Sequence, residues 1–143
     1  MALELAAALY DEIIAHLRAA YPNEGAGLLL GNETDSGKKA LTIVPFENRF
    51  ALDQQHHRYL ITAEDMLAGE TAASENGMDV LGVYHSHPDH PAEPSNYDRE
   101  SATWPWYSYL IVSVQNQHTA TARCWRLTDD RSQFNEEELL IET

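Results

Sequence analysis

Residues 79–98 read DVLGVYHSHPDHPAEPSNYD, and they decide which fold and which chemistry the rest of the chain is expected to support. The first half is rich in β-branched and aromatic residues and follows the turn signal Asn76-Gly77, which predicts a buried strand. Because successive side chains of a strand point to opposite faces, His85 and His87 share one face and Ser86 occupies the other. Two imidazoles on one face can hold a metal ion between them.

The second half of the stretch predicts a stiff loop followed by a helix. Its prolines end the strand, and Ser95 with Asp98 three residues later has the pattern of a helix N-terminus, which can turn Asp98 back toward the histidines. Two histidines and one carboxylate leave one tetrahedral position of Zn²⁺ open, as in hydrolytic sites. Such an ion lowers the pKa of its water to about 7 and polarises a substrate carbonyl. The alternative is a polar loop with solvated histidines.

These residues resemble the signature of the JAMM (MPN-plus) zinc metalloproteases, which is an upstream Glu, then His-Ser-His, seven residues, Ser, two residues and Asp. The upstream glutamate matches Glu24 in the glycine-flanked, apolar segment 21–31. The resemblance covers nearly the whole chain, and the short form with His90-Pro91-Ala92 is most similar to prokaryotic members that act on ubiquitin-like sulfur-carrier proteins. Ala26 departs from the pattern, since many of those relatives carry Cys there, but the position is not a ligand.

The resemblance implies a role for each matched residue. It makes His85, His87 and Asp98 the zinc ligands and Glu24 the general base that later returns a proton to the leaving amine. Ser95 would position the water or stabilise the oxyanion. Two alternatives stay open: Glu24 can instead be a solvated residue of the chain, and Ser95 can cap the helix, alone or in addition.

The resemblance also implies the fold and the reaction. The expected fold is α/β, the MPN (cytidine-deaminase-like) fold, with a curved mixed central sheet flanked by helices and the metal at the end of the third main strand. The expected activity is zinc-dependent hydrolysis of a peptide or isopeptide bond at the C-terminal Gly-Gly of a ubiquitin-like or sulfur-carrier protein. A non-catalytic MPN scaffold and a hydrolase of small amides or phage-type peptides are the alternatives. Cytidine deaminase chemistry is disfavoured because Pro-Cys-x-x-Cys is absent.

Composition narrows the possible partners and compartments. The 143 residues fit one domain, 1–143, and the formal charge of −14 argues against nucleic acid or an anionic membrane as a partner. Cys124 is the only cysteine, so a disulfide framework and a thiolate-rich zinc cluster are both excluded, and we expect Cys124 to be a small core residue. Without an apolar run of membrane-spanning length or a signal peptide, we expect a soluble, cytoplasmic protein. The oligomeric state stays open, with a homodimer as one possibility.

Periodicity predicts the remaining elements. Apolar residues at spacings of three and four predict an amphipathic helix from Leu5 to Leu17, ended by Pro22. The paired histidines His56 and His57 are expected on a surface loop. The other predicted elements are strands at 28–31 and 41–46 joined by a turn at 32–39, an irregular segment at 49–60 with strand as an alternative at its end, helices at 62–76 and 95–103, strands at 107–114 and 119–127, and a short helix, edge strand or partner surface at 134–141.

Overall fold

The computed structural model describes residues 2–56, 58–102 and 104–143. These residues form seven strands, three α-helices and one short 3₁₀ turn, Leu52–Gln54. The strands are β1 (Ala2–Ala6), β2 (Ala26–Thr34), β3 (Gly37–Phe46), β4 (Asp79–Pro88), β5 (Ser108–Gln115), β6 (Thr119–Leu127) and β7 (Phe134–Glu142). The helices are α1 (Ala7–Ala20), α2 (Ala63–Glu75) and α3 (Asn96–Ser101).

The strands form one strongly curved sheet in the order β1-β3-β2-β4-β5-β6-β7, and the sheet closes because β7 also pairs with β1. Three pairs are parallel, β1 with β3, β1 with β7 and β4 with β5, and the others are antiparallel. The predicted α/β class with a curved mixed sheet flanked by helices is therefore confirmed. Among the described helices, none is both long and apolar enough to cross a membrane.

Two apolar clusters pack the helices against the sheet. The α1-side cluster joins Ile13 of α1 to Leu29, and the α2-side cluster joins Ala73 of α2 to Leu28 and Leu30. Because consecutive residues of β2 enter different clusters, the clusters lie on opposite faces of the sheet. Helices α1 and α2 therefore cover opposite faces of the sheet.

A β-bulge in β4 decides which face the two histidines occupy. Consecutive residues of β2 pair with Gly82 and Val80, which leaves Leu81 as an extra residue. Leu81 packs in the α1-side cluster, whereas Val83, two residues later, packs in the α2-side cluster. The bulge therefore turns the rest of β4 over, and the histidines emerge on the α2 side. Gly82 is required here, since a Cβ would collide with the carbonyl oxygen of Ser108 in β5.

The N-terminal helix was predicted to begin too early. Ala2–Ala6 is a strand with Leu3 and Leu5 buried, and it pairs with both β3 and β7. Leu5 fits both a helical spacing with Leu9 and a two-residue alternation with Leu3, so the sequence alone did not separate them. The segment forms a strand rather than a helix because its pairing with β3 and β7 closes the sheet.

Other predicted boundaries also change. The turn expected at 32–39 contracts to two residues between β2 and β3, because both strands extend along each other. The tail is a strand, as one alternative proposed, but it is not an edge, since it pairs with both β6 and β1. The metal-bearing strand is the fourth rather than the third because β1 precedes it. The predicted helix end at Thr103 lies outside the described residues.

A buried polar network ties four strands together. Lys38 of β3 is fully buried, and its Nζ donates to the Trp106 carbonyl oxygen and, at 2.9 Å, to Ser108 Oγ. Ser108 Oγ donates in turn to Glu137 Oε1 at 2.5 Å, and the buried Cys124 thiol donates to the same oxygen at 3.4 Å. Burial lowers the pKa of Lys38 to about 8, an effect that the nearby Glu137 carboxylate opposes. Cys124 is thus a core residue, as predicted.

This network makes Lys38 and Lys39 a matched pair for a stability test. Lys38→Met removes the buried cation that is linked through Ser108 to the buried Glu137 carboxylate, so we expect a loss of about 3–5 kcal/mol in the free energy of unfolding by urea denaturation. The double variant Lys38→Met/Glu137→Leu should recover most of that loss. Lys39→Met should stay within about 1 kcal/mol, because its ion pair with Glu142 is exposed. Wild-type stability in Lys38→Met would contradict this role.

Candidate metal centre

The two histidines at the end of β4 and the aspartate in the first turn of α3 converge on one point. The Nε2 atoms of His85 and His87 are 3.1 Å apart. Asp98 Oδ1 lies 3.4 Å from His85 Nε2, and Asp98 Oδ2 lies 3.1 Å from His87 Nε2. The three residues are 1%, 6% and 8% exposed, respectively, so the alternative of solvated histidines is wrong. Within the described chain, these are the His, Cys, Asp and Glu side chains that group closely enough to hold an ion.

These separations fit a first-row divalent cation. Bond lengths of about 2.0–2.1 Å in tetrahedral geometry place neighbouring ligand atoms roughly 3.3 Å apart, as Zn²⁺ requires. The separations in the structure, 3.1 to 3.4 Å, match that value. Two imidazole nitrogens and one carboxylate oxygen suit zinc and also other divalent metals of the first row. The donor set therefore fits a bound metal ion with at least one position left for solvent or substrate.

Contacts behind the cluster orient both imidazoles. His87 Nδ1 lies 2.9 Å from the carbonyl oxygen of Pro91. A carbonyl only accepts, so Nδ1 carries a proton, and in the neutral ring that binds a metal the Nε2 lone pair faces the cluster. The His85 ring is held differently, by stacking on Tyr59 with ring centres 4.5 Å apart. Its Nδ1 is buried and has no hydrogen-bond partner among the described residues.

The helix cap of α3 aims the Asp98 carboxylate. Ser95 Oγ accepts a hydrogen bond from the Asp98 backbone N–H at 3.0 Å, and Asp98 Oδ2 accepts one from the Ser95 N–H at 2.8 Å. Burial alone would raise the pKa of Asp98, but the two imidazoles and the Ser95 N–H hold it well below its ordinary value. The carboxylate is therefore ionised. Helix capping by Ser95, one of the two roles expected, is present.

Glu24 is a buried side chain beside this cluster. It is 5% exposed, so the alternative of a solvated residue is wrong. Ser86, which faces away from the histidines, fixes the next residue: its Oγ accepts from the Gly25 N–H at 2.9 Å, and its N–H donates to the Gly25 carbonyl at 3.1 Å. Burial raises the pKa of Glu24 to about 8; the nearby Asp98 carboxylate also raises it, and His87 opposes both effects. A cation in the cluster would lower it again.

The loop at residues 47–61, which contains the segment 49–60 that sequence analysis left as irregular, bonds to the backbone at Glu24. Asn48 Nδ2 donates to the carbonyl oxygens of Glu24 and Arg58, both at 2.8 Å, and Asn48 Oδ1 accepts from the Phe50 N–H. The carbonyl of Gln55 accepts from the Glu24 N–H at 2.6 Å. The sequence analysis missed these roles because polar side chains that bond to backbone follow no periodicity. Within this loop His56 is exposed, as predicted, and His57 lies outside the described residues.

Two cavities meet at the cluster. The polar cavity, about 440 Å³, is lined by Glu24, Arg58, His87 and Ser95 among others. The apolar cavity, about 250 Å³, borders His85 and Asp98 and is otherwise lined mostly by aromatic and aliphatic side chains. Tyr97 belongs to both linings. A bound ion would therefore be reached from two sides.

Comparison with known proteins identifies the family. The sequence profile described as prokaryotic homologues of the JAB domain matches residues 6–128. The chain belongs to this family. A curated relative, a desampylase of Haloferax volcanii, is 37% identical over 123 residues, covering 82% of this chain and 85% of the relative. A CysO-cysteine peptidase of Mycobacterium tuberculosis is 28% identical over 127 residues, covering 89% of this chain and 84% of the relative.

A solved structure supports the same fold assignment. The crystal structure of a JAB1/MPN domain protein from Archaeoglobus fulgidus superposes with a TM-score of 0.59 at 22% identity, with full coverage of both chains. At that level of identity the likeness concerns the fold alone. The predicted MPN fold of this JAB-family chain is thereby confirmed.

Metal content distinguishes this cluster from an ordinary buried polar group. We expect wild type, loaded with zinc and dialysed, to retain one equivalent by elemental analysis. Asp98→Asn keeps a side-chain oxygen for the helix cap but removes the charge, so its zinc affinity should fall at least about 100-fold in a chelator competition. His118→Gln, which changes an exposed histidine, should bind zinc as wild type does. Equal affinity in Asp98→Asn would exclude Asp98 as a ligand.

Proposed function

We propose that this JAB-family chain acts as a single domain, 1–143, and is a metallopeptidase that hydrolyses an amide at the C-terminus of a ubiquitin-like or sulfur-carrier protein. One observation carries the proposal. A buried carboxyl group, Glu24, borders the same cavity as His87 and Ser95, beside three side chains spaced for a divalent cation. A non-catalytic scaffold would need neither the spacing nor the burial of Glu24.

In this proposal His85, His87 and Asp98 hold the metal, and zinc is the ion that we propose. When bound, it supplies Lewis acidity and an activated water. Glu24 accepts a proton from the attacking water and delivers it to the leaving nitrogen. The hydroxyl of the water bonds to the carbonyl carbon, the C–N bond breaks, and the nitrogen, with the proton from Glu24, leaves as a neutral amine.

Ser95 has a second function in this proposal. A hydroxyl has two acceptor lone pairs and one donor. One lone pair is used by the Asp98 N–H, which leaves the O–H of Ser95 to donate into the polar cavity that it lines. We assign this proton to the oxygen that gains charge as the carbonyl is attacked.

The names of two relatives support the choice of substrate. One relative is named a desampylase and another a CysO-cysteine peptidase. We propose that the tail that enters here ends in Gly-Gly, because a site that accepts only a tail without side chains would exclude bulkier peptides. Specificity would then come from exclusion and from the carrier's own surface.

Replacement of Glu24 tests the mechanism. Glu24→Gln keeps the size of the side chain but cannot accept a proton, so we expect it to retain zinc while kcat/KM falls about 10²–10⁴-fold. Cleavage would be followed by mass spectrometry on a sulfur-carrier protein that ends in Gly-Gly and is extended by a short peptide, with zinc or with chelator.

The matched control is Glu93→Gln. Glu93 lines the same cavity but is exposed and paired with Arg123, so its loss should change kcat/KM by no more than a few fold. Near-normal turnover by Glu24→Gln would overturn the assignment of the base. If zinc-loaded wild type cleaves no carrier extension, the proposed function itself is wrong.

A further inference from the structure

Arg58 is a cation in the polar cavity that the proposed mechanism does not use. It lines this cavity with Glu24 and His87, and it is partly buried. Its Nε is buried without a hydrogen-bond acceptor, and within the described chain no carboxylate lies at ion-pair distance from its guanidinium. Arginine stays charged at any physiological pH, so this is an unneutralised positive charge beside the metal cluster.

The position of Arg58 is fixed by the same contacts that build the site. Its carbonyl accepts from Asn48 Nδ2, which also holds the Glu24 carbonyl. Its guanidinium lies over the ring of Tyr97, 4.6 Å from the ring centre, and Tyr97 is the residue before Asp98. Phe50 packs against the Tyr97 ring in turn. Arg58 is therefore preorganised relative to both the base and the ligands, as a substrate-binding group must be.

The charges around the cavity leave Arg58 available for a ligand. Glu93, an exposed carboxylate that lines the cavity, forms an ion pair with Arg123 at 2.9 Å. Arg123 also pairs with Glu136. A chain with a formal charge of −14 offers many carboxylates, yet Arg58 contacts an aromatic ring instead. Cation–π contact compensates part of the lost hydration and leaves the planar N–H donors for a carboxylate, their best geometric partner.

We propose that Arg58 binds the free α-carboxylate of the amino acid that leaves from the carrier. The inference rests on the proposed function and names its leaving group. In a carrier extended by one amino acid, a single carbon separates this carboxylate from the scissile nitrogen, so both fit one cavity. In an isopeptide to a lysine side chain, no anion stands near the scissile nitrogen. Arg58 therefore makes the site prefer a carrier–amino acid adduct over an isopeptide.

Two substrates that differ in one group test this preference. The carrier ending in Gly-Gly-Cys is prepared with a free carboxylate and as the C-terminal amide, and kcat/KM is measured for both. For wild type we expect the acid to be favoured roughly tenfold or more, the range of one charge-assisted hydrogen bond. In Arg58→Met the ratio should fall to about one, and in Arg58→Lys it should be intermediate, since an ammonium cannot bind in the bidentate mode.

The ratio is taken within each protein, so a partial loss of folded enzyme cancels. Arg18→Met removes an exposed arginine outside the cavity and should keep the wild-type ratio. In the Glu24→Gln background, calorimetric Kd values for acid and amide should show the same dependence on Arg58. Equal cleavage of acid and amide by wild type, or equal losses on both in Arg58→Met, would overturn the inference. Cleavage of neither by wild type would instead overturn the proposed function.

Discussion

The site depends on the pairing of β4 with its two neighbours. The extra residue, Leu81, reverses which face of the sheet the following side chains of β4 occupy. The two histidines therefore face the α2 side rather than the α1 side. Glycine at position 82 permits β5 to approach closely at this point. A regular strand would point both imidazoles at the opposite face, away from Asp98 and from the cavities. Without this one extra residue, both histidines would lie on the wrong face of the sheet for the candidate metal site.

The contacts that stabilise the local fold also position the chemistry. The cap of α3 fixes the Asp98 carboxylate, and Ser86, by bonding to Gly25 on the other face of β4, fixes the chain next to Glu24. Asn48, in the 47–61 loop, donates a hydrogen bond to the carbonyl oxygen of Glu24. Because the Asp98 carboxylate and the His87 ring are held by hydrogen bonds to backbone and the His85 ring by stacking on Tyr59, little reorganisation is needed when an ion or substrate binds.

The sequence revealed the parts of the structure that are local. The His-x-His alternation, the Ser95–Asp98 cap and the stop of α2 at Gly77 depend on neighbouring residues, and each was predicted where the structure has it. Closure of the sheet was not predictable from such patterns, because it joins residues 2–6 to residues 138–142. The grouping of Glu24 with the histidines came from family resemblance, since its glycine-flanked, apolar segment alone does not show that it lies near residues 85–98.

The central claim is that the Nε2 atoms of His85 and His87 and a carboxylate oxygen of Asp98 bind one metal ion with a vacant position. X-ray absorption at the zinc edge of the loaded protein tests it most directly. The account predicts two imidazole nitrogens at about 2.0–2.1 Å and oxygen ligands at about 2.0–2.2 Å, with no sulfur. A sulfur ligand near about 2.3 Å, or a shell without two imidazoles, would contradict it.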